Sequence, residues 1–98
     1  MNAIVDLCVV PIDAGISLSG YVAACEKVLE QFALHHTLHA NGTNIEGDWD
    51  EVFAAVKKCH ETVHKMGAQR IFTTIKVGTR VDKDQCMLDK IQSVQNKL

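Results

Sequence analysis

The sequence is poor in proline and aromatic residues, and it lacks low-complexity tracts and long apolar runs. It contains one proline, and aromatic residues make up only 5% of the chain. It has no low-complexity tract, and its hydrophobic content of 47% is typical of a folded rather than a disordered chain. The apolar run near the N-terminus is short, because Asp6 and Pro11 interrupt it and no basic segment precedes it. We therefore expect a globular domain with neither a signal peptide nor a membrane span.

Basic clusters and paired cysteines are also missing. Lysine and arginine are scattered along the chain, and the formal net charge is −2 at pH 7. Because nucleic-acid binding usually requires a concentrated basic face, we expect no nucleic-acid partner. Cys8, Cys25, Cys59 and Cys86 are widely spaced and form no C-x-x-C pair. We expect reduced thiols in a cytoplasmic protein, with Cys25 and Cys59 buried on helix faces.

The pattern of apolar residues predicts one domain over residues 1–98 with an α+β fold. Strands are expected where Val, Ile and Leu concentrate or alternate, and helices where apolar residues recur every three or four positions. The expected strands are 3–11, 35–40, 43–47 and 69–81, and the expected helices are 18–33, 49–66 and 84–97. The order β-α-β-β-α-β is ferredoxin-like. It predicts a four-stranded antiparallel sheet with both main helices on one face and an extra C-terminal helix.

Local signals mark the ends of these elements. Asn41-Gly42 favours a two-residue turn in which both residues take positive φ, which would join the second and third strands. Ser17 and Ser19 suit the N-cap of the first helix. Asp48, followed three residues later by an acidic residue, resembles a capping box at the start of the second helix, and Gly67 suits its C-terminal end.

Alternation along the strands divides the side chains between a helix-covered face and an open face. The open face is predicted to combine apolar and polar groups: Ile4, Val10 and Phe72 with Asp6, His39, Asn44, Glu46, Thr74 and Lys76. A bare surface rarely carries such apolar residues, so a second sheet is expected to cover them. Two interpretations stay open from periodicity alone. The polar groups either line a small-molecule pocket or form a hydrated subunit interface.

One catalytic motif occurs in the second predicted helix. Residues 60–64 read H-E-T-V-H, in which His60 and His64 share a helix face and could bind zinc, with Glu61 as general base. The longer zinc-protease pattern fails, because Arg70 stands where its third histidine ligand belongs. The apolar stripe also places His60 close to the buried side of the helix. We therefore predict no catalytic residue, no metal and no cofactor, and keep a zinc hydrolase only as an alternative.

The stretch G-T-N-I-E-G-D-W-D-E-V at residues 42–52 resembles the G-T-x-I-E-G-x-W-D-E-V signature of the YkoF-like thiamine-binding protein family. The segments V-V-P-I at 9–12, S-L-S-G-Y-V at 17–22 and I-K-V-G-T-R at 75–80 are also similar to that family, as is Asp82-Lys83 before the closing helix. The similarity covers nearly the whole chain. It implies a ferredoxin-like subunit that forms a homodimer or homotetramer through its sheets. It also implies non-catalytic binding of thiamine or its hydroxymethylpyrimidine part in the cytosol.

The resemblance implies that polar residues of the open face bind thiamine or its hydroxymethylpyrimidine part. Glu46 is the principal candidate, because its carboxylate can accept hydrogen bonds from an aminopyrimidine. Other polar groups would satisfy the remaining ligand atoms or line the same site: Thr43, Asn44, Thr74, Ser19, His39 and Asp6. Ser19 also suits a helix cap, and Thr43 a strand-start hydroxyl. A structural or regulatory oligomer without a small ligand is the second hypothesis, and it predicts an interface with no cavity.

Overall fold

The computed structural model describes all residues from 1 to 98. The elements follow one another as β1 Asn2–Ile12, α1 Ser19–Gln31, β2 His35–His39, β3 Gly42–Asp48, α2 Trp49–Lys65, β4 Arg70–Thr79 and α3 Met87–Gln95. This order confirms the predicted β-α-β-β-α-β arrangement with its extra helix. Every boundary lies within a few residues of the expected one.

The strands form one sheet in the order β2-β3-β1-β4, with every neighbouring pair antiparallel. On the helix-covered face, Val5 lies opposite Ile45 on one side and Val77 on the other. The next residue along β1, Asp6, lies opposite Asn44 and Lys76 on the open face. The fold is therefore ferredoxin-like, and the predicted assignment of side chains to the two faces is confirmed.

The core lies between the sheet and the pair of helices α1 and α2. Apolar residues at three- and four-residue spacing give each helix one buried stripe, which the sheet covers. One buried cluster joins the sheet to both helices through Ala3, Val5, Leu7, Leu29, Leu34, Ile45, Val52 and Ala55. A second lies between the helices themselves and contains Cys25, Val28, Cys59, Val63 and Ala68. The two cysteines are buried, as predicted.

The ends of α2 follow the sequence signals. The Asp48 side chain accepts hydrogen bonds from the backbone N–H groups of Asp50 and Glu51, so it is the predicted N-cap. Gly67 follows the last helical turn with a φ of +108°, a conformation that glycine adopts without a Cβ penalty.

The predicted cap of α1 is wrong. The residue before the helix is Leu18, and no side chain caps the first turn. Ser17 and Ser19 instead bring their hydroxyl oxygens to 3.4 Å from each other. Ser19 is already the first helical residue, where its hydroxyl is no longer placed to accept from the next turn.

The predicted turn conformation is also wrong. Ala40 and Asn41 form the turn between β2 and β3, and neither has a positive φ. The Asn41 backbone N–H donates to Nδ1 of His39 at 3.3 Å, a local bond that helps to hold this turn. Gly42 begins β3 instead, and a Cβ there would lie 2.8 Å from the Leu7 carbonyl oxygen. Glycine is therefore required by the close approach of two strands.

The last helix, α3, makes few contacts with the rest of the chain. None of its residues is buried, and Leu88, Ile91 and Val94 are each more than half exposed. The open face of the sheet likewise leaves Phe72 67% exposed. None of the three helices combines the length and apolar character needed to cross a bilayer.

Candidate functional site

A cavity of about 630 Å³, here called the chamber, lies between α1 and the β2–β3 turn. It forms because β1 runs past the end of β3: the pairing of these strands stops at Leu7 and Thr43, whereas β1 still pairs with β4 at Ile12. Its walls are mainly apolar and include Leu7, Val9, Leu18, Val22, Leu29 and Leu38. A chamber of this volume, with apolar walls and few polar groups, has the usual properties of a small-ligand site.

Glu26 supplies the acidic group of the chamber. Its Oε1 accepts a hydrogen bond from the Thr43 hydroxyl at 3.2 Å. Its Oε2 is buried and has no hydrogen-bond partner. A buried acceptor without a donor costs about 1–3 kcal/mol. The chamber therefore contains one acceptor that a ligand N–H group or a cation would satisfy.

His39 lies at the rim of the chamber and connects it to the open face. Its Nδ1 accepts from the Asn41 backbone N–H, so the ring proton is on Nε2. That nitrogen donates to Oδ1 of Asp6 at 2.7 Å. The bond joins β1 to the edge strand β2 across β3. It fixes the orientation of the imidazole beside the turn.

The predicted site residues separate into two groups. Ser19, His39 and Thr43 line the chamber. Asp6 reaches its rim through His39. The remaining predicted residues lie in the open-face register and do not line the chamber: Asn44, Glu46 and Thr74.

Glu46 already has partners within the chain. Its Oε2 accepts from the backbone N–H of Met87 at 2.8 Å, and its Oε1 lies 3.5 Å from Nε2 of His35. The carboxylate thereby joins the first residue of α3 to the sheet. A ligand-binding role for Glu46, Asn44, Thr74 or Asp6 stays a prediction.

Glu26 is not among the predicted site residues, although the sequence contains a signal for it. Glu26 follows Val22 by four residues and precedes Leu29 by three, so it interrupts the apolar stripe of α1 with a carboxylate. A charged group on a buried stripe requires a partner, and that requirement could have identified it.

The two histidines of the H-E-x-x-H motif have different hydrogen-bond partners. His60 Nε2 and the Thr73 hydroxyl are 2.6 Å apart, and His64 Nδ1 donates to the Ala68 carbonyl at 2.8 Å. Burial lowers the pKa of His60, and the neighbouring His64 lowers it further. No group of three or more His, Cys, Asp or Glu side chains is arranged to hold a metal ion. Nothing in this arrangement supports the zinc hydrolase alternative.

Together, the sheet order and the chamber define a ferredoxin-like α+β domain with a partly open cavity of small-ligand size. A family model described as "Thiamine-binding protein" matches residues 5–95. The chain therefore belongs to this thiamine-binding protein family, and the resemblance found in the sequence is confirmed.

Relatives match along almost the whole chain. The UPF0045 protein sll0230 of Synechocystis sp. is 61% identical over 98 residues, which are 100% of this chain and 81% of that protein. The UPF0045 protein ECM15 of Eremothecium gossypii is 41% identical over 99 residues, with 100% and 94% covered. The crystal structure of MJ1052 from Methanocaldococcus jannaschii has a TM-score of 0.89 at 29% identity and covers 96% of each chain.

A more distant structure shares the fold alone. A Thermotoga maritima protein, TM0486, described as a candidate for thiamine biosynthesis or salvage, has a TM-score of 0.81 at 15% identity. It covers 96% of this chain, and 99% of TM0486 is covered.

Proposed function

We propose that the protein binds thiamine or its hydroxymethylpyrimidine part in the chamber, without catalysis, as a homo-oligomer. The observation that carries this proposal is the buried, unpartnered Oε2 of Glu26 in an otherwise apolar chamber. The chamber, rather than Glu46 on the open face, is the proposed binding site.

The chemistry of the chamber suits such a ligand. An aminopyrimidine has an exocyclic amine that donates hydrogen bonds, and a carboxylate oxygen is a strong acceptor for it. The Thr43 hydroxyl holds the other oxygen of Glu26 and so limits the rotation of the carboxylate. Apolar walls would cover the faces of the ring, while Ser19 and His39 provide polar groups at the rim.

Membership of a thiamine-binding family supports the choice of ligand. The description of the Thermotoga protein, which shares the fold, points to the same area of metabolism. Neither identifies the residues that bind, so the assignment to the chamber depends on the geometry around Glu26.

The open face supports self-association. Val10 and Phe72 lie opposite each other in the β1–β4 register, and Phe72 is mostly exposed. Lys76 is exposed on the same face, opposite Asp6, whose carboxylate is already bonded to His39. A second copy of the sheet would bury these apolar groups.

Titration calorimetry with thiamine and, separately, with hydroxymethylpyrimidine tests the proposal. We expect saturable binding of at least one of them to the parent protein. In Glu26→Gln we expect at least roughly tenfold weaker binding, because a neutral amide replaces the charged acceptor, a loss of about 1.4 kcal/mol or more.

Glu30→Gln is the matched control, since Glu30 is exposed in the same helix and lies outside the chamber. It should bind as the parent does. Absence of binding by the parent would reject the ligand and favour the oligomer without a small molecule. Parent-like binding by Glu26→Gln would reject the chamber carboxylate as the anchor.

A further inference from the structure

Two buried thiols meet behind the wall of the chamber. Cys25 of α1 lines the chamber and is 8% exposed, whereas Cys59 of α2 is completely buried. The Cys59 thiol donates to the Cys25 carbonyl oxygen at 3.8 Å. Both residues belong to the buried cluster between α1 and α2, and the two thiols also lie within hydrogen-bond reach of each other.

We propose that Cys25 and Cys59 are an oxidation site, at which a small peroxide converts the two thiols into an intramolecular disulfide that links α1 to α2. The site is reached through the chamber, because Cys25 borders it and Cys59 has no exposed surface. Cys8, which is half-buried, also lines the chamber, so the test must remove it together with the half-buried Cys86.

The two thiols are suited to different steps. A hydrogen bond between the two thiol side chains lowers the pKa of the Cys25 thiol, whereas the same bond, with burial, raises the pKa of Cys59. Cys25 is therefore the thiolate that attacks a peroxide oxygen, which breaks the O–O bond, forms a sulfenic acid and releases water after protonation. Cys59 then attacks the sulfenic sulfur, the S–S bond forms, and the hydroxyl leaves with the Cys59 proton as a second water.

The disulfide would affect the chamber directly. Cys25 is adjacent in sequence to Glu26, so a covalent link at Cys25 would restrain the segment of α1 that carries the chamber carboxylate. This part of the inference rests on the proposed function. A ligand in the chamber should shield Cys25, and the disulfide should in turn alter ligand binding.

The test uses the full chain with Cys8→Ala and Cys86→Ser, which leaves only the two buried thiols. We expect hydrogen peroxide to lower the intact mass by two hydrogen atoms, and peptide mapping to show the Cys25–Cys59 link. Both thiols should then fail to react with a thiol reagent in denaturant until a reductant is added. Persistence of both free thiols at a peroxide concentration that oxidises Cys86 in the parent would overturn the proposal.

A second variant tests the first step, the formation of the sulfenic acid on Cys25, separately from the formation of the disulfide. With Cys59→Ser, whose hydroxyl keeps a donor beside Cys25 but cannot form a disulfide, the sulfenic acid on Cys25 should persist and be captured by dimedone, and no such adduct should form with Cys25→Ala. If dimedone captures neither cysteine, the proposed order of attack is wrong.

Thiamine should slow the oxidation of the parent several-fold if it occupies the chamber. A mapped disulfide whose formation thiamine does not slow would reject the chamber as the thiamine site, while the oxidation site would stand.

Discussion

His60 belongs to a sequence motif for metal binding, but in the structure it is a partly buried residue that contacts the sheet. It belongs to an H-E-x-x-H pattern, yet it lies against Thr73 of β4, between α2 and the sheet. Burial lowers its pKa below the ordinary value of 6.5. The folded protein therefore favours the neutral ring, whereas the unfolded chain takes up a proton as the pH falls.

This gives a pH dependence of definite sign. The contribution of His60 to stability is fully present above the unfolded pKa and is lost as the pH falls through it toward the lower folded pKa. We expect the free energy of unfolding in urea to decrease from about pH 7.5 to about pH 5.5, and to decrease less in His60→Gln. An unchanged slope in His60→Gln would contradict the assignment.

Glu46 and Glu26 differ in whether their carboxylates have partners within the chain. The family signature directs attention to Glu46, and strand alternation places it correctly on the open face. The structure gives that carboxylate an internal partner, Met87. The unpartnered oxygen belongs to Glu26, a residue of no recognised motif. Alternation identifies the face on which a side chain lies, but hydrogen-bond satisfaction depends on neighbours that are distant in sequence.

At the scale of elements, the ends of the helices were predictable where the signal was local. Asp48 caps α2 through bonds to residues two and three positions away, so the sequence pattern was sufficient. The start of α1 was not, because Ser17 and Ser19 bond to each other instead. The attachment of α3 was not predictable either, since its acceptor, Glu46, is 41 residues away from Met87.

That attachment predicts a local effect in α3. Glu46→Ala removes the acceptor for the Met87 N–H and a negative charge at the helix N-terminus, so α3 should be destabilised by roughly 1 kcal/mol. Hydrogen exchange of residues 87–95 should accelerate by about fivefold, while exchange in β1 stays unchanged. Asn44→Ala, on the same face of the same strand, is the control. Unchanged exchange in α3 would show that Glu46 does not hold this helix.

At the scale of the whole molecule, apolar side chains are exposed both on the open face of the sheet, at Phe72, and on α3, at Leu88, Ile91 and Val94. Large apolar side chains exposed in this way are characteristic of association surfaces. The proposed homo-oligomer places a second sheet on the open face. The orientation of α3 in that assembly would follow from the contacts made by Leu88, Ile91 and Val94.

Substitution on the open face tests the assembly. Phe72→Glu places a charge at the most exposed aromatic of the sheet, so the oligomer should dissociate to monomers in size-exclusion chromatography with light scattering. Ile16→Glu, at a fully exposed residue outside the sheet, should leave the parent size unchanged. A monomeric parent, or an oligomer that survives Phe72→Glu, would contradict association through this face.

The sequence by itself determined the order of elements, the two faces of the sheet, the capped start of α2 and the family. These depend on periodicity, short-range bonds and a continuous motif, all of which are local in the chain. Only the tertiary structure decided the position of the chamber, the orphaned oxygen of Glu26, the internal bond of Glu46 and the contact of Cys25 with Cys59. The hydrogen bonds involved join residues 17 to 41 positions apart, so these features depend on strand register and helix packing rather than on any local pattern.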